Sequence, residues 1–136
     1  MKPSLKKGFS IIELIFVIAV LGIIAAVAVP KLLDSRSSAL ATTIKQDIST
    51  ITNSIQSYYM LNGELDDIAQ SVNINKKTWK VTVEKAIFPL TETGIECVSI
   101  EIVDKELKVD IDEDNETDVC KKLVESGIED ATYKLY

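Results

Sequence analysis

A single apolar run near the amino terminus constrains this chain more than any other feature. From Phe9 to Val29 there are 21 residues, and only Ser10 and Glu13 among them are clearly polar. As an α-helix rising about 1.5 Å per residue, the run matches a hydrocarbon core of roughly 30 Å and is long enough to span a membrane. A carboxylate at the bilayer centre costs about 2.5–3.5 kcal/mol, so Glu13 needs a partner or a function.

Charge gives the expected orientation of this segment. Lys2, Lys6 and Lys7 precede it with no acidic residue before Glu13. The positive-inside rule then predicts a single-pass protein of the bacterial inner membrane, with its amino terminus in the cytoplasm and the remainder outside. Residues 61–136 contain 18 acidic residues and 9 lysines. This acidic carboxyl-terminal part, the head, would repel the phosphate backbone of a nucleic acid, so no direct nucleic acid binding is expected.

The residue types that the chain lacks exclude several kinds of site. It contains no histidine and only two cysteines, Cys97 and Cys120, so the common zinc sites and histidine-based catalytic triads have no ligands or bases. We therefore predict no enzymatic activity. In an oxidising compartment the two cysteines are expected to form a disulfide, and the alternative is two buried thiols in a chain that stays reduced.

The helical pattern continues beyond the apolar run. Apolar residues recur at intervals of three, four or seven, at Leu33, Leu40, Ile44, Ile48, Ile51, Ile55 and Tyr59. This spacing predicts an amphipathic helix that continues the membrane segment. Pro30 is expected to kink the helix without ending it, and Asn62-Gly63 to end it.

The remaining residues show the alternation of strands. One strand is predicted with Trp79, Val81 and Val83 on the same face; two more are predicted at Val98–Ile102 and Leu107–Ile111. Asp104-Lys105 predicts a tight hairpin between the last two, and the segment from Phe88 to Gly94 a longer loop.

The carboxyl-terminal part predicts one short helix and one more strand. Asp118 is expected to cap a helix that reaches Val124 and stops at Gly127, and Thr132–Tyr136 to form the strand. The predicted fold is α+β, with a small antiparallel sheet packed on the outer half of the long helix.

The amino-terminal residues resemble a known signal. The sequence Lys6-Lys7-Gly8-Phe9-Ser10-Ile11-Ile12-Glu13-Leu14, followed by an apolar run with Gly22 and Pro30, closely resembles the type III signal of type IV prepilins and type II secretion pseudopilins. Ser10 and Ile11 replace the commoner threonine and leucine. The resemblance implies a type IV pilin-like fold with a leader peptide (1–8), a transmembrane and filament-core helix (9–30), an amphipathic half of the helix (31–62) and a β-sheet head (63–136).

The resemblance also implies a role for Glu13. A prepilin peptidase would cut between Gly8 and Phe9 and methylate the new amino group of Phe9. In a filament, the Glu13 carboxylate of one subunit would pair with the Phe9 amine of a neighbour, which makes a buried charge tolerable. Gly22 and Pro30 would mark the part of the helix that loosens on assembly, although both residues are also simply tolerated in membrane helices.

A secretory signal peptide is the rival interpretation, because a basic start and an apolar stretch precede Ala26-Val27-Ala28, with cleavage after Ala28. Glu13 argues against it, since a charge weakens the insertion of a segment that is to be discarded.

An acidic loop follows the third predicted strand. Asp110, Asp112, Asp114 and Asp118 occupy positions one, three, five and nine of a calcium-loop pattern. Asn115 replaces the usual turn glycine, and Lys121 the bidentate glutamate. A solvated acidic loop explains the composition equally well. No cofactor is required, and calcium is a possible ligand.

The functional hypothesis is a structural subunit of a type IV pilus-like filament. The alternative is a pseudopilin that drives protein export in a type II secretion system, and a membrane-tethered binding module that never polymerises is a third interpretation. By family resemblance, the partners are other pilin subunits in a homo- or hetero-polymer, the prepilin peptidase, the inner membrane and, indirectly, an assembly platform and its ATPase motor.

Overall fold

A computed structural model describes residues 8–88 and 96–135 of the chain. The chain divides into two compact units, Met1–Arg36 and Ser37–Tyr136. Most of the leader, residues 1–7, and most of the loop expected after Phe88 lie outside the described residues.

The long helix, α1, comprises Ile11–Asn62 and continues through Pro30, as predicted. The expected bend at Pro30 stays a prediction. Gly63 follows with a φ of 76°, the left-handed conformation in which glycine commonly ends helices, and its N–H donates to the Tyr59 carbonyl at 2.8 Å. The sequence therefore located the end of this helix correctly.

The second unit contains a five-stranded antiparallel sheet in the order β1-β2-β3-β4-β5. Its elements in chain order are α2 (Ile68–Ser71), β1 (Lys80–Val81), β2 (Lys85–Phe88), β3 (Val98–Val103), β4 (Glu106–Ile111), α3 (Asp118–Glu125) and β5 (Ala131–Lys134). Consecutive strands are neighbours throughout, so the sheet is a meander.

The core lies between one face of α1 and the inner face of this sheet. On α1 the buried residues are Ala41, Ile44, Ile48, Ile51, Thr52 and Ile55. The buried residues of the sheet alternate along each strand and include Ala86, Phe88, Val98, Ile100, Leu107 and Val109. Helical and strand periodicities thus bring two apolar faces together.

Trp79 fills the core beside the first strand. Its side chain is 1% exposed, and its ring centroid lies 5.7 Å from that of Phe88. The indole Nε1 donates a hydrogen bond to Asp47 Oδ2 of α1 at 2.9 Å. Because a buried indole N–H requires an acceptor, Asp47 fixes how this part of the sheet packs on the helix.

The sequence prediction was wrong about the first strand. β1 contains only Lys80–Val81, and Val83, which was expected on the buried face, is 56% exposed. The chain turns at Thr82, whose hydroxyl donates to the Lys85 carbonyl at 2.9 Å and accepts from the Lys85 N–H at 3.1 Å. The hydrogen bonds between the Thr82 hydroxyl and the Lys85 backbone thus form a turn where the first strand was expected to continue. A separate strand, β2, follows this turn, where no strand was expected.

The hairpin between β3 and β4 confirms the prediction for Asp104-Lys105. These residues have φ values of 54° and 64°, as required by the two-residue turns that match the twist of paired strands.

Other boundaries differ from the prediction. Leu33 and Leu40 were expected in the buried seam of the helix but are 59% and 37% exposed, because the buried face of α1 begins only at Ala41. The N-cap of α3 is Thr117 and not Asp118. β5 begins at Ala131 and ends at Lys134, whereas the prediction was Thr132–Tyr136.

The predicted polar connection after the long helix contains a short helix, α2. Its N-cap residue, Asp67, accepts a hydrogen bond from the Ala69 N–H through Oδ1 at 2.8 Å. This single turn carries Ile68 into the core, where the side chain is fully buried.

Candidate functional site

The first turn of α1 carries the candidate assembly residue, Glu13. The Ser10 carbonyl accepts hydrogen bonds from the Glu13 and Leu14 N–H groups, both at 3.1 Å, so Ser10 immediately precedes the helix. The interval from Ser10 to Glu13 is that of a capping box, and the helix dipole favours a carboxylate in the first turn. The backbone therefore accommodates the charge of Glu13 at this end of the helix.

The Glu13 side chain is exposed and has no intramolecular ion-pair partner among residues 8–88 and 96–135. Phe9, four residues earlier, is 78% exposed. Both residues assigned to subunit pairing are thus accessible from outside the chain.

The rest of the amino-terminal helix is an uncovered apolar surface. An 18-residue window of α1 has a mean hydropathy of 3.0, and none of it is buried within the chain. Large side chains are exposed around the whole helix, for example Ile11 at 79%, Phe16 at 69% and Ile23 at 70%. Because soluble monomers rarely expose apolar patches of this extent, the surface requires lipid or other protein chains around it.

Gly22 has no steric role within a single chain, since a Cβ built on it meets nothing within 4 Å. Its assignment to filament assembly, like that of Pro30, stays a prediction.

The predicted disulfide is present. Cys97, just before β3, and Cys120, in α3, are bonded with a Cα–Cα distance of 5.8 Å, and each is 1% exposed. The Cys97 N–H donates to Phe88 O at 2.8 Å, and its carbonyl accepts from the Asp112 N–H at 2.9 Å. The bond therefore holds α3 and the acidic loop against the central strands.

We expect the double variant Cys97→Ser/Cys120→Ser to lower the free energy of unfolding by about 3 kcal/mol, because the cross-link restricts the unfolded chain across a sequence separation of 23 residues. Urea unfolding of the Ser37–Tyr136 unit measures the difference. With a reducing agent present, the difference between the wild-type and variant curves should shrink to the cost of burying two hydroxyls in place of two thiols. Equal midpoints under oxidising conditions would contradict the prediction.

The four aspartates of the calcium-loop pattern do not converge. In the described parts of the chain, no group of three acidic, histidine or cysteine side chains is placed to hold a metal ion. Asp110 is exposed on β4, and Asp112 Oδ1 accepts from the Asp114 N–H at 3.1 Å. Calcium binding at Asp110, Asp112, Asp114 and Asp118 stays a prediction from the sequence.

Asn115 organises this loop, a role that the sequence analysis missed. The residue is 6% exposed. Its Oδ1 accepts from the Thr117 N–H and hydroxyl at 3.1 and 2.8 Å, and its Nδ2 donates to Glu96 O at 3.4 Å. These bonds also explain why Thr117 makes no side-chain cap for α3. The only available signal was the tendency of asparagine to bond nearby backbone groups.

The fold and the surface of α1 together define a class: a membrane-anchored α+β protein with a type IV pilin-like fold. Residues 3–29 match the family described as the prokaryotic N-terminal methylation motif. The chain is 23% identical over 106 residues to the type IV major pilin protein PilA of Myxococcus xanthus, covering 68% of this chain and 48% of that protein. The chain is thus similar to a type IV pilin, and its amino-terminal segment matches the methylation motif.

Two further relatives are a secretion-system protein and a fimbrial protein. The chain is 34% identical over 62 residues to the type II secretion system core protein G of Pseudomonas aeruginosa, covering 46% of this chain and 44% of that protein. It is 33% identical over 75 residues to the fimbrial protein of Neisseria meningitidis, covering 55% and 44%. No solved structure matches significantly. The chain thus spans less than half the length of these relatives.

Proposed function

We propose that the chain is a structural, non-enzymatic subunit of a type IV pilus-like filament, processed by a prepilin peptidase and polymerised from the inner membrane. The observation that carries this proposal is the first turn of α1. There, an exposed carboxylate begins a helix whose amino-terminal part has an apolar surface uncovered on all sides and matches the methylation motif.

Processing supplies the missing partner of Glu13. Hydrolysis of the Gly8–Phe9 amide leaves a carboxylate on Gly8 and a new amine on Phe9, which the peptidase then methylates. The methylated amine still carries a proton and a positive charge at neutral pH. When helices pack side by side, this ammonium and the Glu13 carboxylate of a neighbouring copy leave water or lipid together, which avoids the cost of burying either one alone.

Packing of the apolar helices against one another provides the remaining driving force. The most apolar stretch of α1 is not buried anywhere within the chain, so it gives up no tertiary contacts when the helix enters a filament. Lipid around the helix is replaced by the helices of other copies. The ion pair then fixes the stagger between neighbours, because apolar contacts alone are compatible with many registers.

The disulfide supports the proposed topology independently of the motif. Such bonds persist in oxidising compartments, which agrees with a head outside the cytoplasm and an amino terminus inside. The assembly platform and its ATPase motor would then act from the membrane and the cytoplasm.

A pseudopilin of a type II secretion system is the second candidate. The 34% identity to core protein G favours it, whereas the similarity to a major pilin and a fimbrial protein favours a pilus. Deleting the gene separates the two: loss of surface filaments with normal protein export supports the pilus, and loss of export supports the pseudopilus.

The processing step is tested by the mass and terminal sequence of the protein recovered from membranes. We expect the wild-type chain to begin at N-methylated Phe9 and Gly8→Val to retain residues 1–8. A Cβ at Gly8 meets nothing within 4 Å in the chain itself, so a defect in this variant would reflect the peptidase and not folding.

Gly22→Ala is the matched control, because a Cβ there also meets nothing within 4 Å, and we expect normal cleavage. A wild-type protein that still begins at Met1 would contradict the proposal. A protein that begins at Val29 would instead show that the segment is a secretory signal peptide.

A further inference from the structure

β5 forms one edge of the sheet, and no other strand among residues 8–88 and 96–135 pairs with its outer side. Thr132, Tyr133 and Lys134 are all exposed. Tyr133 is in register with Leu107, and the Leu135 N–H donates to the Lys105 carbonyl at 2.9 Å. In an antiparallel strand, every second residue directs its backbone N–H and C=O groups to the same neighbouring strand. The backbone groups of Tyr133 and Leu135 therefore point toward β4. The N–H and C=O groups of Thr132 and Lys134 therefore point away from the sheet.

A groove accompanies this edge. It consists of two neighbouring depressions between β5 and α1. Both are lined by Gln56, one also by Ser49, Asn53 and Tyr133, and the other by Leu135. Amide and hydroxyl side chains of the helix thus face a strand edge with unused hydrogen-bonding groups. This arrangement can accept one more extended strand.

The charged groups along the groove are cationic. Among its described lining residues, the only charged ones are Lys45 and Lys134. The Lys45 Nζ already donates to the Ser126 carbonyl at 3.1 Å. Lys134 is exposed, and its partner across the two strands is Glu106. Its backbone N–H and C=O groups point to the outer edge of the sheet. In a head where acidic residues outnumber lysines 18 to 9, the two described charged residues that line this groove are thus both lysines.

A second copy of this chain does not suit the edge. The only charged residue of β5 is Lys134, so pairing of β5 with β5 would bring two lysines and no carboxylate to the joined edge.

We propose that the open edge of β5 binds an extended acidic peptide segment of a partner protein by strand addition, as a sixth strand of the sheet. Alternate side chains of a strand point to opposite faces. The peptide would therefore place apolar residues beside Tyr133, on the face of α1, and acidic residues beside Lys134 on the other face. This interaction goes beyond filament assembly and does not depend on it.

The test uses the full chain in detergent micelles and a capped, fluorescently labelled hexapeptide in which glutamate and valine alternate. We expect saturable binding below about 1 mM, the range of weak specific recognition. Hydrogen exchange at the Thr132 and Lys134 amides should slow about tenfold on binding, because these amides become donors to the peptide. A peptide in which lysine replaces glutamate should not bind.

Thr132→Pro removes one outward N–H while leaving the bonds between β4 and β5 in place, and proline is tolerated on edge strands of this kind. We expect about a tenfold loss of binding in this variant. Thr132→Val, which keeps the N–H, should bind normally. Absence of binding, equal binding of the lysine peptide, or undiminished binding to a folded Thr132→Pro variant would each overturn the proposal.

Discussion

Replacing Glu13 by glutamine is expected to abolish filament assembly. The substitution keeps the shape of the side chain but removes the charge that would neutralise the Phe9 ammonium of a neighbouring copy. Leaving one member of a buried ion pair without its partner costs about 3–5 kcal/mol, which weakens each subunit contact by roughly two to four orders of magnitude. Sheared filaments quantified against the membrane-bound pool measure the effect.

The sign of the effect on membrane insertion makes this test specific. Removing a charge from an apolar segment makes insertion easier, so the variant should reach the membrane at least as well as the wild type. Processing at Gly8–Phe9 is checked on the same sample by mass. Normal assembly of processed Glu13→Gln would contradict the proposal that the ion pair determines the contact between subunits. A membrane-tethered module that never polymerises would be recognised by its behaving identically with glutamate and with glutamine at position 13.

Truncating Trp79 to alanine is expected to lower the free energy of unfolding by about 3–5 kcal/mol, the usual cost of removing a large buried aromatic side chain. The residue is 1% exposed and contacts Phe88, and its indole N–H donates to Asp47. The loss is a large part of the 5–15 kcal/mol that stabilises a typical small domain. Urea unfolding of the Ser37–Tyr136 unit measures it.

Val83→Ala is the matched control, because Val83 is 56% exposed in the turn after β1, and its truncation should change stability by less than about 0.5 kcal/mol. Trp79→Phe keeps a large aromatic ring but loses the hydrogen bond to Asp47. Its free energy of unfolding should therefore lie between those of Trp79→Ala and Val83→Ala. Similar unfolding midpoints for Trp79→Ala and Val83→Ala would contradict the assignment of Trp79 to the core.

Local patterns predicted the elements whose signals come from the chain itself. The period of α1, the glycine after Asn62 and the turn at Asp104-Lys105 all describe backbone conformations that neighbouring residues determine. The strand from Trp79 to Val83 was predicted wrongly for a related reason. Alternation continues through the turn at Thr82, where a hydroxyl bond to Lys85 redirects the chain.

The candidate site shows the same division. The positions of Gly8, Phe9 and Glu13 were identified from contiguous residues, since the signal lies within one stretch of helix. Asn115 was missed as the organiser of the acidic loop, because its partner Glu96 is 19 residues away and no local spacing connects them.

The amino-acid sequence alone determined that this chain has a membrane-length apolar helix with one carboxylate in its first turn, and that Cys97 and Cys120 suit an oxidising compartment. Tertiary structure decided that Leu33 and Leu40 stay exposed, that Asp47 accepts from Trp79, and that β5 is left as an open edge. The physical reason is that periodicity and composition act between residues close in the chain, whereas burial and strand order depend on which distant surfaces meet.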